Sequence, residues 1–281
     1  MPIHLHCVTC SKFKKMRRLL PLLFILGLFA TTYAQEKIIT ITTNVGVMKA
    51  KLYPDVPNHT QTFTNRANQG LFNGTLFTRV INDFMIQGGS PDSKNAPAGA
   101  RVGYGDRSTE IMPEFREHYF AKRGALAAPR QNDDINPQKK SDMSQFFIIQ
   151  GKVYRPGELD TLQRATNLPI RRKAMDKFYQ PVKAMMDSLK TANPEEFNKH
   201  VVEINAKVDS VIRSTPGHIL FSEEQTEAYI TVGGSHHLDG QYTIFGELTE
   251  GFDVLDKIAS QPRDKYDRPK NDVRIISIKV E

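Results

Sequence analysis

The chain has 281 residues, 39% hydrophobic and 25% charged, which excludes a disordered chain and leaves room for one large domain or two small ones. Its formal charge of +7 invites a polyanionic partner, but Lys12, Lys14, Lys15, Arg17 and Arg18 all lie within residues 1–34, which hold no acid. Without those five cations the remainder carries only +2, so no nucleic-acid partner is expected.

Those first residues read as an export signal. Arg17-Arg18 precede an apolar run from Leu19 to Ala30, broken only by Pro21 and Gly27, and Thr32-Tyr33-Ala34 supplies the small residues a signal peptidase needs. The run is shorter than the roughly 18–20 residues of a spanning helix. Residues 1–34 are therefore expected to be an N-terminal extension and signal peptide, with Met16 as an alternative start. Cleavage after Ala34 would release a chain with no membrane attachment, exported to the periplasm or secreted. Both cysteines, Cys7 and Cys10, fall in the removed part, so the remainder faces no disulfide choice.

Residues 36–52 alternate as a hairpin around Asn44-Val45-Gly46, and a helix is predicted over 57–67, ended by Gln69-Gly70. A strand over 75–81 and a second over 84–87 flank the Asn82-Asp83 turn. Within the first of these Arg79 is a lone cation among apolar and β-branched residues. On spacing alone it is a snorkelling side chain at an edge. Residues 90–109 read as a long surface loop. Its Gly103-Tyr104-Gly105 is a fragment of a phosphate loop without the lysine or helix that a nucleotide site requires. A small-residue segment at 122–128, a polar loop at 132–142 and a strand at 144–150, apolar on both faces, follow.

From 154 to 229 the period becomes helical. Pieces are predicted over 158–165 and 170–189, the latter bent or broken at Pro181, and an amphipathic helix capped by Asn193 over 194–213. Ser222-Glu223-Glu224-Gln225 is a capping box. The two long arms most simply form an antiparallel hairpin. Its stripe with Met175, Met185 and Met186 would pack on neighbouring helices or receive unfolded chains. Beyond Gly234 come a loop at 236–240, a strand at 241–248, a short helix at 252–258 and a strand at 272–280. His236-His237 lacks the spacing of a zinc site, and no nucleophile elbow is present.

Four segments, in this order, resemble the cyclophilin family: FTRVINDFMIQGG at 77–89, KRGALAA at 122–128, SQFFI at 144–148 and LDGQYTIFGELTEGFDVLDKI at 238–258. The resemblance implies a mainly-β domain over 36–281, a closed eight-stranded antiparallel barrel capped by two helices and interrupted by an inserted α-helical hairpin at 154–229. It implies a peptidyl-prolyl cis-trans isomerase in which Arg79 is catalytic, with Phe84 and Gln87 beside it. Phe84, Met85, Phe147 and Leu238 would wall the proline pocket, while Gln87 and Gln145 would bind the substrate backbone and steady the arginine. Pro129 and Arg130 stand where the family usually has Ala-Asn, His237 where many members have Trp, and Tyr242 where His is common. Tight cyclosporin binding is therefore not expected.

Turning a prolyl amide faces a barrier of about 18–20 kcal/mol from resonance, and no bond to carbon breaks. No metal or other cofactor is expected. The substrates would be proline-containing peptides and unfolded or partly folded exported proteins. The alternative is a holdase with weak or no isomerase activity, its clients held by the insert.

Overall fold

The structure, a computed structural model, describes residues 36–281. The expected signal segment, with Cys7 and Cys10, lies outside the described residues. Among the described residues no helix is long and apolar enough to cross a membrane.

Strand β1 (Lys37–Thr43) turns through Asn44-Val45 into β2 (Gly46–Leu52). Its alternation of β-branched and polar residues puts Ile39, Ile41 and Thr43 on the buried face. Helix α1 (Pro57–Asn68) follows, with proline at its first turn, where the missing N–H costs nothing. Then come β3 (Phe77–Ile81), β4 (Met85–Gly88), β5 (Glu110–Ile111), β6 (Ala125–Ala127), β7 (Ser141–Asp142) and β8 (Phe146–Ile149). After four helices the chain returns as β9 (Ile244–Glu250), α6 (Phe252–Ala259) and β10 (Ile275–Val280).

Eight strands form one antiparallel sheet in the order β10-β1-β2-β9-β6-β8-β4-β3, and β5 pairs with β7 alone. The sheet curls around a core that includes Ile41, Met48, Leu52, Phe146 and Phe245. Phe63 of α1 fills one side, with its ring 5.0 Å from Phe72 and 5.3 Å from Phe245. Val254, Leu255 and Ile258 of α6 fill another. The expected closure is only partly present, because no ladder joins the edge strands β3 and β10. Instead the two strands meet only around their starts: Leu76 bridges Arg274, and the Phe77 N–H donates to the Val273 carbonyl at 2.9 Å.

The helices between β8 and β9 are α2 (Glu158–Phe178), α3 (Lys183–Ala192), α4 (Pro194–Ser214) and α5 (Glu223–Thr231). The chain breaks near Pro181 as its chemistry requires, and the Asn193 and Ser222 caps form. The gap expected between 165 and 170 is absent, since α2 runs straight through Pro169. Beside that proline, the buried Asn167 side chain donates to the Ile219 carbonyl at 2.7 Å and accepts its N–H at 3.0 Å. This amide clamp spends Asn167 across the insert rather than on its own backbone, where it would favour a turn. Arg171 reaches Asn205 and Asp209, so α2 and α4 run antiparallel.

The insert has its own core of Ala174, Met186, Ile204, Val208 and Ile212. Met175 packs against it, and of the three stripe methionines only Met185 is exposed. A third cluster of Phe120, Tyr154, Leu159 and Tyr229 joins the insert to the barrel.

Candidate active site

Three neighbouring strands set the site. Arg79 of β3 lies opposite Gln87 of β4, and Gln87 lies opposite Phe147 of β8. Alternation then decides which way each side chain goes. Val80, Ile86, Phe146 and Ile148 turn into the core, so Arg79, Met85, Gln87 and Phe147 share the outer wall. The strand that reads as apolar on both faces has this cause: Phe146 and Ile148 serve the core, and Phe147 serves a cleft.

That cleft holds about 220 Å³ and is lined by ten of the eleven expected residues: Arg79, Phe84, Met85, Gln87, Pro129, Arg130, Gln145, Phe147, Leu238 and Tyr242. His237 is not in the lining. Its ring lies 5.3 Å from that of Phe84. Tyr242 meets Phe147 edge-on at 5.5 Å, and the Arg130 guanidinium stacks over Tyr242 at 5.0 Å. Arg130 is also tied down by its Nε, which donates to the Gln241 carbonyl at 2.7 Å. It thus acts as a fixed shelf under Tyr242.

The polar side of the cleft has a defined polarity. Asp142 is an acceptor, so the Gln145 amide group must donate to it (3.0 Å), and the Gln145 oxygen then accepts from Gln87 Nε2 at 3.1 Å. The chain of donors leaves Gln87 Oε1 without a partner among the described residues, available to a substrate N–H. Asp142 is held in turn by the Ser144 N–H at 2.8 Å and the Thr109 hydroxyl at 3.0 Å. Gly105 backs this corner at φ 72°, where any Cβ would run into Asp142 and Gln145.

The glutamines do not steady Arg79 directly. Its Nε lies 3.5 Å from Asp267 Oδ2, and its Nη atoms have no partner among the described residues. Asp267, in a left-handed conformation at φ 63°, also accepts the Val80 N–H on its carbonyl at 2.9 Å. A loop near the C-terminus therefore runs along β3 as its outer neighbour and orients the arginine. Nothing local in the sequence links Asp267 to a residue 188 positions earlier in the chain. Asp142, Gly103, Gln131 and Asn132 also line the cleft. Their signals are the glycine pair at 103 and 105 and the polar run at 132–142, which read as loop.

One other constellation has the shape of a nucleophilic site. His59 Nδ1 lies 2.7 Å from Glu114 Oε2, and His59 Nε2 lies 2.9 Å from the Ser141 hydroxyl. Because a carboxylate only accepts, Nδ1 carries the proton and Ser141 donates to Nε2. Burial holds His59 below the usual imidazole range despite Glu114, which agrees with a neutral ring. His59 and Ser141 are both buried, so no substrate reaches the hydroxyl. The triad pins α1 to the β5–β7 pair.

Comparison with known proteins fits this geometry. The family description for cyclophilin-type peptidyl-prolyl cis-trans isomerase matches residues 38–167 and 178–280. A Staphylococcus saprophyticus protein named for that activity is 29% identical over 239 residues, spanning 85% of this chain and 88% of its own. One from Staphylococcus haemolyticus is 30% identical over 240 residues, with shares of 85% and 88%. A crystal structure of a Cryptosporidium parvum cyclophilin-type isomerase has a TM-score of 0.50 at 18% identity, covering 88% of this chain and 98% of that one, and shows the shared fold. The chain belongs to the cyclophilin-type peptidyl-prolyl cis-trans isomerases. It is an enzyme of class EC 5.2.1.8.

Proposed function

We propose that Arg79 performs the isomerisation by hydrogen-bonding the prolyl nitrogen as the amide twists, while the outer-wall cleft holds the ring. The observation that carries this is the juxtaposition of free guanidinium nitrogens with an apolar seat formed by Phe84, Met85, Phe147 and Leu238. When resonance is lost the nitrogen lone pair becomes an acceptor, so a donor fixed there stabilises the transition state more than the ground state. The seat excludes water, which strengthens that bond. Gln87 Oε1 would take a substrate N–H and fix register. Removing about 6 kcal/mol from a barrier of about 20 raises the rate from roughly one event per minute to hundreds per second.

The physiological substrates in this reading are proline-containing, unfolded or partly folded exported proteins. Residues 16–34, with their basic, apolar and small-residue order, support export to the periplasm or beyond. Residues 36–281 would work as one isomerase unit, with 154–229 as its insert. The holdase alternative is disfavoured by Met175 and Met186, which pack within the insert. A protease-coupled assay on a proline tetrapeptide tests the mechanism: Arg79→Ala is expected to lose about 100-fold or more in kcat/KM. Equal rates for wild type and variant would overturn it.

A further inference from the structure

A second hollow, of about 1180 Å³, opens between the segment after β8 and the first turns of α2. Tyr154, Leu162 and Ala165 give it apolar walls, and His236 forms the wall nearest the cleft. Three ring-to-ring steps connect the two sites: Phe84 to His237 at 5.3 Å, His237 to His236 at 5.9 Å, and His236 to Tyr154 at 5.5 Å. The path is no longer than about 17 Å, the span of about five extended residues. His237 is exposed along it, and Phe84 and His236 are half-buried.

The charges at the hollow are unequal in availability. Lys152 is engaged: its Nζ lies 2.7 Å from Glu158 Oε1 and 4.4 Å over the Tyr154 ring. Arg155 is exposed, and its guanidinium has no partner among the described residues. An apolar trough with one unspent cation at its mouth fits an apolar side chain next to an acidic one. Chain continuity supplies the occupant, because a polypeptide that leaves the cleft over Phe84 towards the two histidines reaches the hollow within about five residues.

We propose that this hollow is a second seat for the same client polypeptide whose proline occupies the cleft, receiving an apolar–acidic pair about five residues away. The insert then selects clients by what flanks the proline. This rests on the isomerase reading of the cleft.

The test compares a proline tetrapeptide with peptides extended on either side by about five residues ending in Leu-Glu. The readout is the ratio of kcat/KM, long over short, in wild type, Arg155→Glu and Leu162→Glu, together with fluorescence-anisotropy binding of the labelled long peptides. Wild type is expected to favour one extended peptide by about tenfold, mainly through KM, and each variant to bring the ratio close to one. Arg155 is exposed, so its substitution leaves folding intact. A wild-type ratio near one for both extensions, or an advantage that survives both substitutions, overturns the proposal. Failure of wild type to turn over the tetrapeptide would instead remove the isomerase reading beneath it.

Discussion

The Tyr229 hydroxyl donates to Asp239 Oδ2 at 2.6 Å, while the other oxygen of the same carboxylate accepts the Ala121 N–H at 2.7 Å. Tyr229 belongs to α5, and Asp239 directly follows Leu238 of the cleft wall. The last helix of the insert is thereby bolted to the wall of the cleft. Tyr229 is fully buried, so Tyr229→Phe leaves the carboxylate short of a donor at a cost of about 1–3 kcal/mol. The expected outcome is a lower Tm and a raised KM for proline peptides, as Leu238 loses its anchor. An unchanged KM would show that the Ala121 and Gln225 bonds hold the loop without it.

Burial outweighs those two bonds and pushes the Asp239 carboxyl up to about 6 from 3.8. The folded chain keeps a proton there that the unfolded chain has released. Stability from this group is therefore complete below about pH 4 and is lost as pH rises through about 6. Asp239→Asn removes the dependence, so its stability relative to wild type should climb between about pH 4 and pH 7, by roughly 3 kcal/mol. Urea unfolding at a series of pH values measures it. His59, depressed by burial, has the opposite sign: its contribution is present above about pH 6.5 and fades as pH falls.

Gly105→Ala is expected to damage the site beyond the strain of its φ. Its methyl group would displace the Asp142–Gln145 pair that aims Gln87, lowering kcat/KM by about tenfold. Gly99→Ala is the control. It has a similar φ of 74°, but its methyl group would meet nothing within 4 Å. It should cost stability alone, of order 1 kcal/mol. Equal kinetic losses in the two variants would show that backbone strain, not the collision, matters.

Met186 is fully buried in a core made only of insert residues. Met186→Ala should cost about 2–5 kcal/mol and separate the melting of α2–α4 from that of the barrel. Helical circular dichroism would show an early step while tetrapeptide turnover persists. Loss of turnover at that step would mean the arms support the cleft as well as α5 does.

What the sequence disclosed follows from the range of the interactions. Arg79, Gln87 and Phe147 lie in short strands that the sequence shows by period, and Gln145 directly precedes one, but their meeting in one cleft was legible only through the resemblance. The Asn193 and Ser222 caps were legible because a cap is local. The run of α2 through Pro169 was not, since the Asn167–Ile219 clamp lies 52 residues apart. Asp267 escaped for the same reason. The two-residue strands β5 and β7 show no alternation to detect. His237, placed at the cleft by resemblance, is not in its lining but has its ring 5.3 Å from that of Phe84, which is.

Strand β1 lies between β2 and β10, with Ile41 opposite both Met48 and Ile278. Thr40 and Glu281, hydrogen-bonded across that seam, are 241 positions apart. The hairpin with β2 can form as soon as both strands exist, yet the other edge of β1 stays bare until the final strand arrives. During that interval a row of isoleucines and threonines is open to any passing strand, the geometry from which aggregates grow. A prolyl isomerase thus carries a slow pairing step of its own, between the first and last strands of its sheet.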